Sequence, residues 1–185
     1  DVSPQRGVTV EEISAPRVEA EIVFPPPPSP PAAPSSATCA VLPDANGHLD
    51  LSGSSDTTIA QNAYAGCTEL RTITFPPGLT RIEPFAFYGS GLESISFPSS
   101  LETIGTDAFQ LCASLVTVSF NAALTTIDTS AFSNCGALTT ITFPASSSLL
   151  YIRDNAFGAC QKLQSFDMPS SVLEIGASAF GGCNA

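Results

Sequence analysis

Six cysteines and one histidine, His48, are the side chains on which a zinc centre or a histidine-activated nucleophile in this chain would have to draw. A zinc centre needs ligand pairs a few residues apart, and a hydrolytic triad needs a histidine beside its nucleophile. The cysteines after Cys39 stand at Cys67, Cys112, Cys135, Cys160 and Cys183, spaced by 45, 23, 25 and 23 residues, with Ser90 midway through the first gap. That interval is a repeat period, not a ligand spacing, and a position that accepts serine is no required ligand. These cysteines read as inward-packed free thiols. Cys39 lies outside the register, and whether it bridges to Cys67 is left open. His48 reads as a solvated or capping residue. The carboxylates Glu69, Glu83, Glu93, Glu102, Asp107, Asp128, Asp154, Asp167 and Glu174 scatter over the repeats, and Asp128 and Asp154 fall where a helix start would use a cap. Gly89 and Gly91 suit a tight turn and form no phosphate loop. No catalytic residue, cofactor or metal ligand is expected.

The positioning element is a phrase spoken six times between Ile59 and Ala185. It centres on Ala63-Tyr64, Ala86-Phe87, Ala108-Phe109, Ala131-Phe132, Ala156-Phe157 and Ala179-Phe180, at steps of 23, 22, 23, 25 and 23 residues. An isoleucine precedes each alanine by four (Ile59, Ile82, Ile104, Ile127, Ile152, Ile175), and the cysteine or Ser90 follows it by four. A fixed period in the twenties marks a solenoid. Steps of four, four and three, as in Ile104, Ala108, Cys112 and Leu115, predict a helical or 3₁₀ segment with one inward face. After the leucine the period falls to two: Ile73 and Phe75, Ile95 and Phe97, Val118 and Phe120, Ile141 and Phe143 alternate with threonine or serine. That predicts a short strand, stopped by Pro76, Pro98, Pro144 and Pro169, since proline cannot donate to a ladder. Stacked rungs bury what one rung cannot. The expected fold is an α/β solenoid, a right-handed coil with one parallel sheet and helical segments opposite.

The run I-x-x-x-A-F-x-x-C-x-x-L-x-x-I-x-F-P resembles the BspA-like (Treponema pallidum type) leucine-rich repeats over residues 59–185, about two-thirds of the chain. The resemblance implies a cell-surface or secreted protein concerned with adhesion and protein binding, and it brings no catalytic residues.

Composition sets the remaining bounds. A net charge of −11, with six scattered basic residues, excludes binding through phosphate neutralisation, so no nucleic-acid partner is expected. No apolar run is long enough to insert in a membrane. The chain begins without methionine and ends before the leucine of its last phrase, which reads as a piece of a longer protein.

Four segments follow in order. Residues 1–24 form a strand-patterned arm, with Val8, Val10, Val18, Ala20, Ile22 and Phe24 alternating with polar residues. It reads either as a frayed tail or as an arm that adds strands to a neighbouring molecule or domain. Residues 25–38 are a polyproline II spacer. Its composition resembles the hydroxyproline-rich linkers of plant and algal surface glycoproteins, which implies hydroxylation or O-glycosylation at Pro26, Pro27, Pro28, Ser29, Pro30 and Pro31. A docking ligand for a proline-binding domain and a plain linker are the other uses of such a run. Residues 39–58 read as an N-terminal cap, with His48-Leu49-Asp50-Leu51 as a degenerate first strand. Residues 59–185 are the repeats, the last incomplete.

On each strand the residues flanking the inner apolar one point outward: Thr72 and Thr74, Ser94 and Ser96, Thr117 and Ser119, Thr140 and Thr142, Ser165 and Asp167. They predict an uncharged hydroxyl ladder. Threonine and serine suit an exposed strand in any case. A contact face for protein or glycan and an ice-binding ladder are the functional alternatives. The reading is a non-enzymatic extracellular protein, a subunit of a surface fibre, appendage or wall layer, whose partners are copies of itself or related surface proteins. The alternative is an adhesin or receptor ectodomain that binds protein or glycan on the sheet.

Overall fold

The computed structural model describes residues 39–164 and 166–183. The arm, the spacer and Ser165 lie outside the described residues.

The chain enters at Cys39 and lays down β1 (His48–Asp50) and then β2 (Thr58–Ile59). The same succession of a three-residue strand and a two-residue strand recurs as β3 (Thr72–Thr74) then β4 (Arg81–Ile82), β5 (Ser94–Ser96) then β6 (Thr103–Ile104), and β7 (Thr117–Ser119) then β8 (Thr126–Ile127). Then come β9 (Thr140–Thr142), β10 (Tyr151–Ile152) and β11 (Glu174–Ile175). All pairs are parallel, and the register follows the phrase. Ile59, Ile82, Ile104, Ile127, Ile152 and Ile175 run side by side, as do Ile95, Val118 and Ile141.

Two expectations are corrected. In place of the one expected sheet the coil has three parallel ones: β1 with β3, then β5, β7 and β9, and six short strands in the order β2, β4, β6, β8, β10, β11. Among the described residues there is also no helix. The reason lies in where the N–H groups go. Those of Ala108, Gln110 and Cys112 bond back three residues, to the carbonyls of Gly105, Asp107 and Phe109. Those of Asp107, Phe109 and Leu111 cross to the next rung, to Thr129, Ala131 and Ser133. A helix needs all of them within its own turn. Left-handed φ angles at Asp107 (55°) and Leu111 (62°) break any helical run into successive tight turns. The four-residue step therefore returns each side chain inward without a helix.

One apolar cluster fills the coil from Leu49 to Ala179. Its axis is a file of rings: Tyr64, Phe87, Phe109, Phe132, Phe157 and Phe180, with successive centroids 5.0–5.3 Å apart and planes within 11°. Phe75, Phe97, Phe120 and Phe143 form a second file, and Phe97 and Phe120 meet the first edge-on. Each such pair is worth roughly 0.5–1.5 kcal/mol beyond its buried area.

Candidate functional site

Strand alternation puts Leu49, Ile73, Ile95, Val118 and Ile141 inward and their neighbours outward. Thr74, Ser94, Ser96, Thr117, Ser119, Thr140 and Thr142 are exposed and Thr72 is half-buried; Asp167 is exposed too, but residues 166–168 form no strand, so it does not continue the ladder. Ser94, Thr117 and Thr140 align across three rungs, and so do Ser96, Ser119 and Thr142. The Thr142 hydroxyl donates to Ser119 Oγ at 3.2 Å. Charge lies beside these rows as an inter-rung ion pair of Arg71 with Glu93, each one residue before its strand, while the pair Arg153 with Glu174 belongs to the six-stranded sheet.

The face also holds a residue that the sequence reading set apart. His48 Nδ1 lies 2.8 Å from Thr72 Oγ1, and its Nε2 lies 3.2 Å from Thr74 Oγ1. The imidazole thus spans both hydroxyls of the next rung. This placement comes from the pairing of His48-Leu49-Asp50 in register with Thr72-Ile73-Thr74, which only the folded chain fixes.

The face is interrupted between β3 and β5, which belong to different sheets. Leu51, Phe97 and Phe120 each send their N–H to the next rung, to Thr74, Ser119 and Thr142, but Phe75 makes no such bond to Ser96. A shallow cleft of about 310 Å³ opens there, lined by Ile73, Thr74, Phe75, Ser96, Phe97 and Pro98. It offers two hydroxyls and apolar walls with no charge.

Inside the coil Cys39 and Cys67 are joined by a disulfide, and Cys112, Cys135 and Cys160 are buried free thiols. Each free Sγ donates to the phenylalanine carbonyl one rung back: Cys112 to Phe87, Cys135 to Phe109, Cys160 to Phe132 (all 3.2 Å) and Cys183 to Phe157 (3.3 Å). Among the described residues no three His, Cys, Asp or Glu side chains are grouped to hold a metal. Burial pushes the Cys112 thiol from its ordinary 9.0 up to about 11. The folded chain therefore keeps this proton longer than the unfolded chain. The corresponding stability is intact below pH 9 and is lost as pH rises toward 11. We expect Cys112→Ser to lose about 3 kcal/mol less than wild type over that interval, at 1.36 kcal/mol per pKa unit, in urea titrations at stepped pH. An Ellman assay at pH 8 should label Cys183 well before the three buried thiols.

Asp107 is a different case. Its carboxyl is held above the usual 3.8 by burial and by Asp128, and its backbone is left-handed. Asn62 and Asn155 occupy the same repeat position with φ of 59° and 53°. Asp107→Asn is expected to raise stability at pH 7 by roughly 0.5 kcal/mol. The gain should fade as pH falls below the ordinary carboxylate pKa, where both states are protonated. Thermal melts at pH 7 and pH 3 test both halves.

The comparisons place this geometry among known proteins. A model described as a BspA type leucine rich repeat region matches residues 51–150 and 126–185, in six copies. The solved leucine-rich repeat protein of T. pallidum is 34% identical over 74% of this chain and 62% of its own, with a TM-score of 0.65. One from Bacteroides ovatus is 34% identical over 66% of this chain and 31% of its own, with a TM-score of 0.61. A third, from Eubacterium ventriosum, is 25% identical over 75% and 43%, with a TM-score of 0.53. This chain thus spans less than two-thirds of each of these relatives. No curated protein matches it significantly.

Proposed function

The chain belongs to the BspA-type leucine-rich repeat family, and from there we propose that it is a non-enzymatic extracellular protein working by contact through its hydroxyl face. The observation that carries the reading is that face: aligned, outward, uncharged side chains from β5, β7 and β9 on a rigid stack. Such a surface fits a partner that presents hydrogen-bonding groups and no strong charge, a protein or a neutral glycan. The Cys39–Cys67 bridge supports an oxidising compartment outside the cell. Assembly is the favoured form of contact, as a subunit of a surface fibre, appendage or wall layer. Support for it comes from the sequence, in the alternating pattern of residues 1–24 and the proline run that follows. The second reading, an adhesin for an external glycan, draws support from the cleft between β3 and β5, where hydroxyls meet aromatic walls.

The test is the mass and shape of the unreduced chain by light scattering and electron microscopy, beside a chain lacking residues 1–38 and a Thr117→Arg variant. Fibres or oligomers from the intact chain, with monomers from the trimmed one, uphold assembly through the arm. Oligomers lost in Thr117→Arg alone would put the contact on the face. Monomers throughout would sink self-assembly and direct the search to glycan binding at the cleft.

A further inference from the structure

The inward column that runs through the coil reads Cys39, Cys67, Ser90, Cys112, Cys135, Cys160, Cys183. The members from Cys67 onward hold equivalent places in successive phrases, and Cys39 is covalently joined to the first of them. The Cys39 and Cys67 Cα atoms are 5.5 Å apart, within the range a disulfide spans. Ser90 is 3% exposed, so it too lies in the column, and its Oγ is 3.3 Å from Cys112 Sγ. On its other side Gly91 N–H donates to Cys67 O at 3.0 Å, so a sulfur at Ser90 would stand between the bridge and the first free thiol. Packing alone does not demand the hydroxyl, because cysteine fills the equivalent place in five of the six phrases.

We propose that Ser90 is an insulator that keeps the Cys39–Cys67 disulfide from exchanging with the free thiols behind it. Exchange needs a thiolate in line with a disulfide sulfur. With a cysteine at this place, its thiolate would attack Cys67 Sγ. The new bond would join residues 90 and 67, the Cys39–Cys67 bond would break, and Cys39 would leave as a thiolate and take up a proton. A second attack by Cys112 on the sulfur at 90 would carry the disulfide one rung further. Every step conserves one disulfide and needs no oxidant. A serine oxygen forms no such bond, so the relay stops at its first step and the bridge stays at the end of the coil. The device matters while the chain is being oxidised, when partly formed rungs leave the column accessible.

Oxidative refolding in a glutathione buffer, followed by alkylation and peptide mapping, tests the inference. Wild type and Ser90→Ala should each yield the single Cys39–Cys67 bridge. Ser90→Cys should yield a mixture in which residue 90 is bridged and Cys39 is alkylated in a substantial fraction of chains. The double variant Ser90→Cys with Cys112→Ser swaps hydroxyl and thiol, retains their hydrogen bond, and should scramble to Cys67 in the same way. Circular dichroism reports whether each variant has folded. Retention of Cys39–Cys67 alone in either folded cysteine variant overturns the proposal, and so does a Cys67–Cys112 bridge in wild type. The readout is independent of whether the hydroxyl face or the arm makes the contact proposed above.

Discussion

Phe109→Ala is expected to destabilise the coil by about 3–5 kcal/mol, the range for removing a buried aromatic ring. Phe109 is fully buried and stacked at 5.0 Å on both Phe87 and Phe132, with Phe97 edge-on at 5.8 Å. Its neighbours are held by inter-rung backbone bonds on both sides, Phe87 N–H to Ala108 O and Phe109 N–H to Ala131 O, so the cavity has little room to collapse. A repeat protein is stable as a sum of rungs and their interfaces, and a gap at its centre weakens two interfaces at once. Urea unfolding should show a lower midpoint and, where the rungs uncouple, a broader transition. Phe85 supplies the contrast. It is half-exposed, left-handed (φ 59°), and packs only at a tilt, 5.8 Å from Tyr88. Phe85→Asn should leave stability unchanged or raise it, because asparagine accepts that conformation. Equal losses from the two substitutions would contradict the ring file as the main support of the core.

Loss of the bridge is the second large effect. Cys39 and Cys67 close a loop of 28 residues, for which the chain-entropy relation predicts about 3–4 kcal/mol. Little else fastens residues 39–43, although β1 behind them is paired with β3. Val41 is 50% and Leu42 79% exposed, and beyond the bridge the segment is tied by Ala40 N–H to Ala63 O. Cys39→Ser should therefore lower the melting temperature, and reductant should lower it for wild type but not for the variant. Hydrogen exchange at Ala40 and at the β1 amides should accelerate more than at β7. A wild-type melting temperature indifferent to reductant would mean the cap holds by its backbone alone.

How much of this was legible beforehand depended on which interactions a sequence can display. The inward positions were readable because burial is periodic: Ile104, Ala108, Cys112 and Leu115 all point into the core, as their spacing requires. The conformation joining them was misread, because a step of four fits a helix and a pair of tight turns equally well. Asp107 and Leu111 with their counterparts Asn62, Asn155, Gly66 and Gly89 were the discriminating signal, since asparagine and glycine are the residues that tolerate left-handed φ. The six-stranded sheet was missed for a related reason. Its strands are two residues long, too short for alternation to register.

The outward orientation of the threonines and serines followed from the strand period alone, and the structure places the described ones accordingly. The interruption between β3 and β5 did not follow, because it depends on whether Phe75 N–H reaches Ser96 in the next rung. Nor did the imidazole of His48 lying across Thr72 and Thr74, which needs β1 in register with β3. The phrase by itself determined the stacking, the buried column and the uncharged face, since each is a local periodicity repeated until burial pays. Which amides leave their own turn for the neighbouring rung was decided only in the tertiary structure, where hydrogen bonds run between residues more than twenty positions apart.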